Sequence, residues 1–375
     1  MKNQGCKTAT PERLTEIDGL RGWAALSVVI FHAFYVTFSS VHSGWPPSAF
    51  MPLIDGTLDV CIFFILSGDA LSTGYISGGS RLTLNRMIAK RYFRLSIPIL
   101  LTVIPTWALM LSGLIYSPKA FNINNWLGYF LDFRPSFWDA VKFSLAGVYG
   151  WIPAQNYNDF LWTMPIELYG SLMIFLYLSV IHHLRTPLIV TLFFILCTSI
   201  FSRYFELFFV GVFLAQLRAL GILGRIRRSI YAWVGGLFLL LVTYSLEVIS
   251  YSVLPGKSFI PLQLDTHLYP LVATMFVVGS YISLPVLAFF RCRVSAFLGR
   301  VSFGIYLIQF PMLCSFECFM IVTRPSQLGW SLSFALEVAG ATVLLTVGIA
   351  TVFSRIDNYL LRRVDILIGK QVQQT

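Results

Sequence analysis

Arg21 and His32 lie eleven residues apart in IDGLRGWAALSVVIFHAFYVTF, the first long apolar run of the chain. In a helix, eleven steps of 100° close about three turns, so both side chains leave one face, roughly 16 Å apart along the axis. A guanidinium in hydrocarbon costs at least ~2.5 kcal/mol, so a membrane helix keeps one where it faces the bundle interior. The imidazole, with an ordinary pKa of about 6.5, is the group on this run able to take and return a proton at neutral pH. Asp18, three residues before Arg21, can neutralise and orient it. Gly19, Gly22, Ala24 and Ala25 leave room for a close neighbour or a thin ligand. Proton transfer beside a held anion is the chemistry this pattern offers. The competing explanation is structural, an Arg snorkelling to lipid phosphate and a buried His bonded across the bundle.

Two more clusters carry chemistry. RLTLNRMIAKRYFRLSIPIL gathers Arg81, Arg86, Lys90, Arg91 and Arg94 just ahead of an apolar run. Arg91 and Arg94 are an i,i+3 pair, and two planar forks one turn apart suit a phosphate or pyrophosphate. Decoration for anionic lipid accounts equally for Arg81 and Arg86, and less well for Arg94, which abuts the apolar run. Glu167 sits in LWTMPIELYGSL, where Pro165 opens a helix whose N-terminal dipole favours negative charge. The segment ahead of it carries Trp126, Trp138, Trp151, Gln155, Asn156, Asn158, Asp159 and Trp162. Such a surface can stack on a sugar and bond its hydroxyls; it is equally the aromatic belt of a membrane protein.

The elements that position these groups follow from composition. With 57% hydrophobic and 12% charged residues, the chain reads as all-α, a polytopic bundle of membrane helices in one integral domain with no soluble appendage. Apolar runs predict ten spans near 18–39, 57–77, 95–116, 160–181, 187–202, 204–220, 231–253, 268–290, 300–323 and 332–354. With the N-terminus inside, twenty of the 27 Lys and Arg fall in cytoplasmic segments and six outside, including Arg203 and Lys257. That asymmetry predicts cytoplasmic N- and C-termini. The net charge of +10 is therefore a topology signal, and no basic domain exists to hold a nucleic acid. The first span is too long for a cleaved signal peptide. Cys6 and Cys292 are expected to face the cytoplasm, so no outward disulfide framework is expected. Cys314 and Cys318 share a face, but no His or carboxylate joins them at ligand spacing, and no metal is expected. G-x-S-x-G, HExxH, CxxC and G-x-G-x-x-G are all missing, as are visible internal repeats.

Five segments resemble the acyltransferase 3 family of integral membrane acyltransferases. IDGLRGWAALSVVIFHAF carries its Arg-x10-His pattern at Arg21 and His32. DVCIFFILSGDAL is similar to its FFxLSG segment through Phe63, Phe64, Ser67 and Gly68. RYFRLSIPI matches Arg91, Arg94 and Pro98; LWTMPIELYG matches Trp162, Thr163 and Glu167; LGRVSFGIYLIQFP matches Gly299, Ser302, Tyr306 and Pro311. The chain departs from the pattern at Cys61, Asp69 and Gln309, and it resembles the family's stand-alone form, in which no SGNH-type hydrolase domain is expected after the last span.

The resemblance implies O-acetylation of cell-surface or secreted carbohydrate, with acetyl-CoA as donor and a bacterial cytoplasmic membrane as location. Membrane lipid, the carbohydrate acceptor and acyl-CoA are the expected partners. Combined with the residue chemistry, it assigns catalysis to His32, Arg21, Asp18 and Glu167, with His32 either a general base or a covalent acyl carrier. Arg91, Arg94, Ser67 and Arg86 are assigned to the donor, and Trp162, Thr163, Tyr306 and Gln309 to the acceptor. One continuous passage is expected from the cytoplasmic Arg layer to His32. A transporter of an anionic or glycan-linked solute would bury similar charges, and a non-catalytic glycan-export scaffold is the third reading.

Overall fold

The computed structural model describes residues 14–38, 48–201, 204–253, 262–325 and 329–371. Lys2, Cys6, Lys7, Arg13, Arg203 and Lys257 lie outside them. Every regular element among the described residues is helical. The principal helices are α1 (Thr15–Ile30), α2 (Gly56–Ile76), α3 (Arg81–Leu111), α4 (Thr163–Ile181), α5 (Pro187–Phe201), α6 (Phe205–Ala219), α7 (Ile230–Val253), α8 (Leu262–Ile282), α9 (Leu284–Phe290), α10 (Arg293–Met312) and α11 (Leu332–Gln371). Two π turns, Phe31–Val36 and Leu313–Glu317, prolong α1 and α10.

By length and apolar composition, seven helical runs among the described residues can cross a membrane, and eight if α8 and α9 form one broken span. Two of the ten expected spans fall on α5 and α6, which are short among the described residues. Each has 15 residues, about 22 Å, short of the ~30 Å hydrocarbon layer. The run at 268–290 is in fact bent by 95° between α8 and α9. Pro285, early in α9, lacks the N–H that would continue the ladder, so the helix stops and restarts.

Glycine sets two helix crossings. Gly22 of α1 rests on the Leu298–Gly299 backbone of α10, and Gly299 rests on the main chain at Asp18; a Cβ at either position would overlap it. Gly68 of α2 abuts the Phe208 carbonyl of α6, while Gly211 of α6 abuts the main chain at Ile65 and Asp69. Helices this close gain packing that larger residues would forbid. Asp69 locks the second crossing. It takes both Arg218 nitrogens, at 2.5 and 2.7 Å, and the Tyr281 hydroxyl at 2.8 Å, tying α2 to α6 and α8. Asp69 is fully buried, so these bonds replace the water it has lost.

Candidate active site

Four helices bring Arg21, Ser67, Arg91 and Glu167 into one hydrogen-bonded chain. Arg21 Nη2 donates to Ser67 Oγ at 2.9 Å, and Ser67 passes its own proton to Glu167 Oε1 at 2.6 Å. Arg91 Nη2 pairs with the same carboxylate oxygen, and Arg91 Nε donates to Ser171 Oγ at 2.9 Å. Arg91 and Glu167 are both largely shielded, so their attraction is little screened by solvent. Asp18 acts on Arg21 electrostatically, after Glu167. Glu167 thus serves two guanidiniums, and Ser67, on α2, is the connector between α1 and α4.

A cavity of about 260 Å³ opens onto this chain and is lined by Arg21, Ser67, Arg91, Arg94, Glu167 and Tyr306 among others. A second, groove-like space of about 420 Å³ adjoins it, because Arg21, Arg91 and Arg94 line both; Thr83, Arg86 and Lys90 complete its polar wall. Arg21 Nε and Arg86 Nε are buried donors with no hydrogen-bond partner among the described residues. Five cations thus line one groove, two of them with unused N–H groups, the chemistry that suits phosphate oxygens. Arg91 and Arg94 do not act as twin forks here. Three helical steps leave them about 60° apart, so Arg91 turns inward to Glu167 while Arg94 faces outward and meets Asp365 of α11.

His32 does not line the cavity. Its Nδ1 lies 2.9 Å from the Val28 carbonyl, which can only accept, so Nδ1 carries a proton and the neutral ring keeps its lone pair on Nε2. The ring stacks on Phe160, with centroids 4.1 Å apart, and lies parallel to Trp126 at 5.8 Å, the two aromatic rings being 6.1 Å from each other. Gln309, on α10, donates its Nε2 to the Tyr306 carbonyl at 3.2 Å, and its buried Oε1 has no hydrogen-bond partner among the described residues. His32 stands on the π turn that prolongs α1, a wider turn that resets which face the residues beyond Ile30 present.

Between His32 and the cavity stand Thr163 and Tyr306, whose hydroxyls are 2.7 Å apart; Tyr306 also donates to the Phe160 carbonyl. The expected continuous passage is therefore interrupted by a latch of Tyr306, Thr163 and Phe160. Trp162 lies away from the cavity, half exposed against Tyr204. Sequence reasoning missed Ser171, although its i+4 spacing from Glu167 was a signal. It also missed the role of Phe160 and Trp126 as walls for an imidazole.

The fold and the site together define an all-α polytopic membrane protein with a guanidinium–carboxylate cluster inside its helix bundle. The chain belongs to the family described as Acyltransferase domain, which matches residues 14–354. It is similar to the O-acetyltransferase PaAT-1 of Phomopsis amygdali, at 26% identity over 357 residues, covering 79% of this chain and 71% of that protein. No solved structure matches.

Proposed function

We propose that the protein is a membrane-bound O-acyltransferase that moves an acyl group, acetyl in the first instance, from cytoplasmic acyl-CoA to a hydroxyl of a carbohydrate acceptor. The observation that carries this reading is the junction of the cationic groove with the Arg21–Ser67–Glu167–Arg91 chain, in a member of an acyltransferase family. A long donor with phosphates at one end and a thioester at the other fits that gradient from charged mouth to apolar interior. Arg94, Lys90 and Arg86 would hold the phosphates. Arg91, committed to Glu167, would shape the wall, and Arg21 would meet the donor beyond the phosphates.

His32 Nε2 is the base. It accepts the proton of the acceptor hydroxyl as that oxygen attacks the thioester carbonyl; the C–S bond then breaks, and the sulfur leaves with the proton that the imidazolium returns. The Val28 carbonyl holds the ring, and Phe160 and Trp126 keep bulk water from it. The roughly 16 Å between Arg21 and His32 along α1 separates their tasks, so Arg21 positions the donor and does not touch the reacting carbonyl. For the thioester to reach His32, the Tyr306–Thr163 contact must part.

The test uses the full chain in lipid nanodiscs with acetyl-labelled acetyl-CoA and a glycan fraction from cells lacking the protein. Labelled ester is expected with the wild type, and a loss of about 10²–10⁴ with His32→Ala. Normal transfer by His32→Ala sinks the assignment; solute movement with no acetylated product points to the transporter instead.

A further inference from the structure

The mouth of the groove already holds an anion of the protein's own. α11 has 40 residues, about 60 Å, twice the hydrocarbon thickness, so its C-terminal turns overhang the bundle beside the N-terminal turns of α3. There Asp365 bridges Lys90 Nζ at 3.0 Å and Arg94 Nη2 at 3.3 Å. Both cations line the groove, and Arg94 lines the inner cavity as well. Asp357, two turns earlier on α11, also lies within electrostatic reach of Arg94.

We propose that Asp365 is a built-in stand-in for donor phosphate, which a phosphorylated ligand displaces, releasing the last turns of α11. The inference rests on the donor reading above. A carboxylate brings one charge and two acceptor oxygens, whereas a phosphomonoester brings about −1.5 to −2 charges and three strong acceptors. Exchange therefore favours a polyphosphorylated donor, while a simple carboxylate gains nothing by it. The contact is also easy to give up. The side chains of Arg94 and Asp365 are 54% and 31% exposed, and water and salt weaken such pairs. The carboxylate would thus lower donor affinity modestly, keep the groove selective, and couple its occupancy to the end of α11.

The experiment measures binding of CoA to the full-length protein in nanodiscs at fixed salt, with gel filtration to establish that each variant is folded. Asp365→Asn is expected to bind CoA about 2- to 30-fold more tightly than wild type, the range that two weak ion pairs set. Asp365→Glu is expected to stay near wild type, and Arg94→Ala to bind more weakly. Saturating CoA should also speed tryptic cleavage after Arg362 and Arg363, the residues just before Asp365. If Arg94→Ala weakens CoA while Asp365→Asn leaves it unchanged or weaker, the stand-in is refuted and the donor site survives. CoA leaving the cleavage rate unchanged or slower refutes the release of α11. If CoA does not bind, or Arg94→Ala binds it as wild type does, the donor reading itself fails.

Discussion

At the residue scale, Glu167 does the most with one side chain: it neutralises Arg91 directly and Arg21 through Ser67. Glu167→Gln would leave two shielded guanidiniums without their shared carboxylate. Breaking such a pair from one side costs about 3–5 kcal/mol, so a clear drop in the midpoint of thermal unfolding in detergent is expected. An unchanged midpoint would mean that water reaches these groups freely. The inward placement of Arg21 and Glu167 was legible in the sequence because hydrocarbon rejects charge, so a charge kept there stands out. The pairing of Arg94 with Asp365 was not, because 271 positions separate them and Asp365 lies past the last apolar run. The split between Arg91 and Arg94 was hidden as well, since i,i+3 spacing places two residues near each other without saying which neighbour each meets.

At the element scale, the bundle depends on two glycine crossings that hold α1 on α10 and α2 on α6. Gly68→Leu would drive a side chain into the Phe208 carbonyl, and overpacking of this kind costs about 1–3 kcal/mol or more. Loss of the monodisperse peak in gel filtration is expected. Gly74→Ala, on the same helix with open space at its Cβ, is the matched control and should keep or gain up to ~1 kcal/mol of stability. Hydropathy located most helices but not their ends. The third apolar run begins at 95, whereas α3 begins at Arg81, and the last run ends at 354, whereas α11 continues to Gln371. An apolar run reports the stretch solvated by lipid, and a helix continues past it wherever its charged turns find partners. Those overhanging turns carry the groove cations and Asp365.

At the scale of the whole molecule, the uneven distribution of Lys and Arg argues that the groove opens to the cytoplasm. Cys292, an exposed free thiol beside α10, reports on this directly. A hydrogen bond with the Ser295 hydroxyl at 3.3 Å lowers its pKa, so more thiolate is present at neutral pH and alkylation is faster than for an ordinary cysteine. A membrane-impermeant maleimide should leave Cys292 unlabelled in sealed cells and modify it once they are opened, read by peptide mass spectrometry. Labelling in sealed cells would invert the topology and put the donor groove on the wrong side for CoA. In the proposed function, cations of α3 recognise phosphate and His32, on the π turn beyond α1, moves the proton, with a hydroxyl latch between. The most direct measurement is therefore single-turnover acetyl transfer in nanodiscs, run beside CoA binding on the same His32→Ala preparation. The expected result is unchanged CoA affinity with transfer reduced by at least about 10²-fold; wild-type transfer by that variant would contradict the central role given to the imidazole.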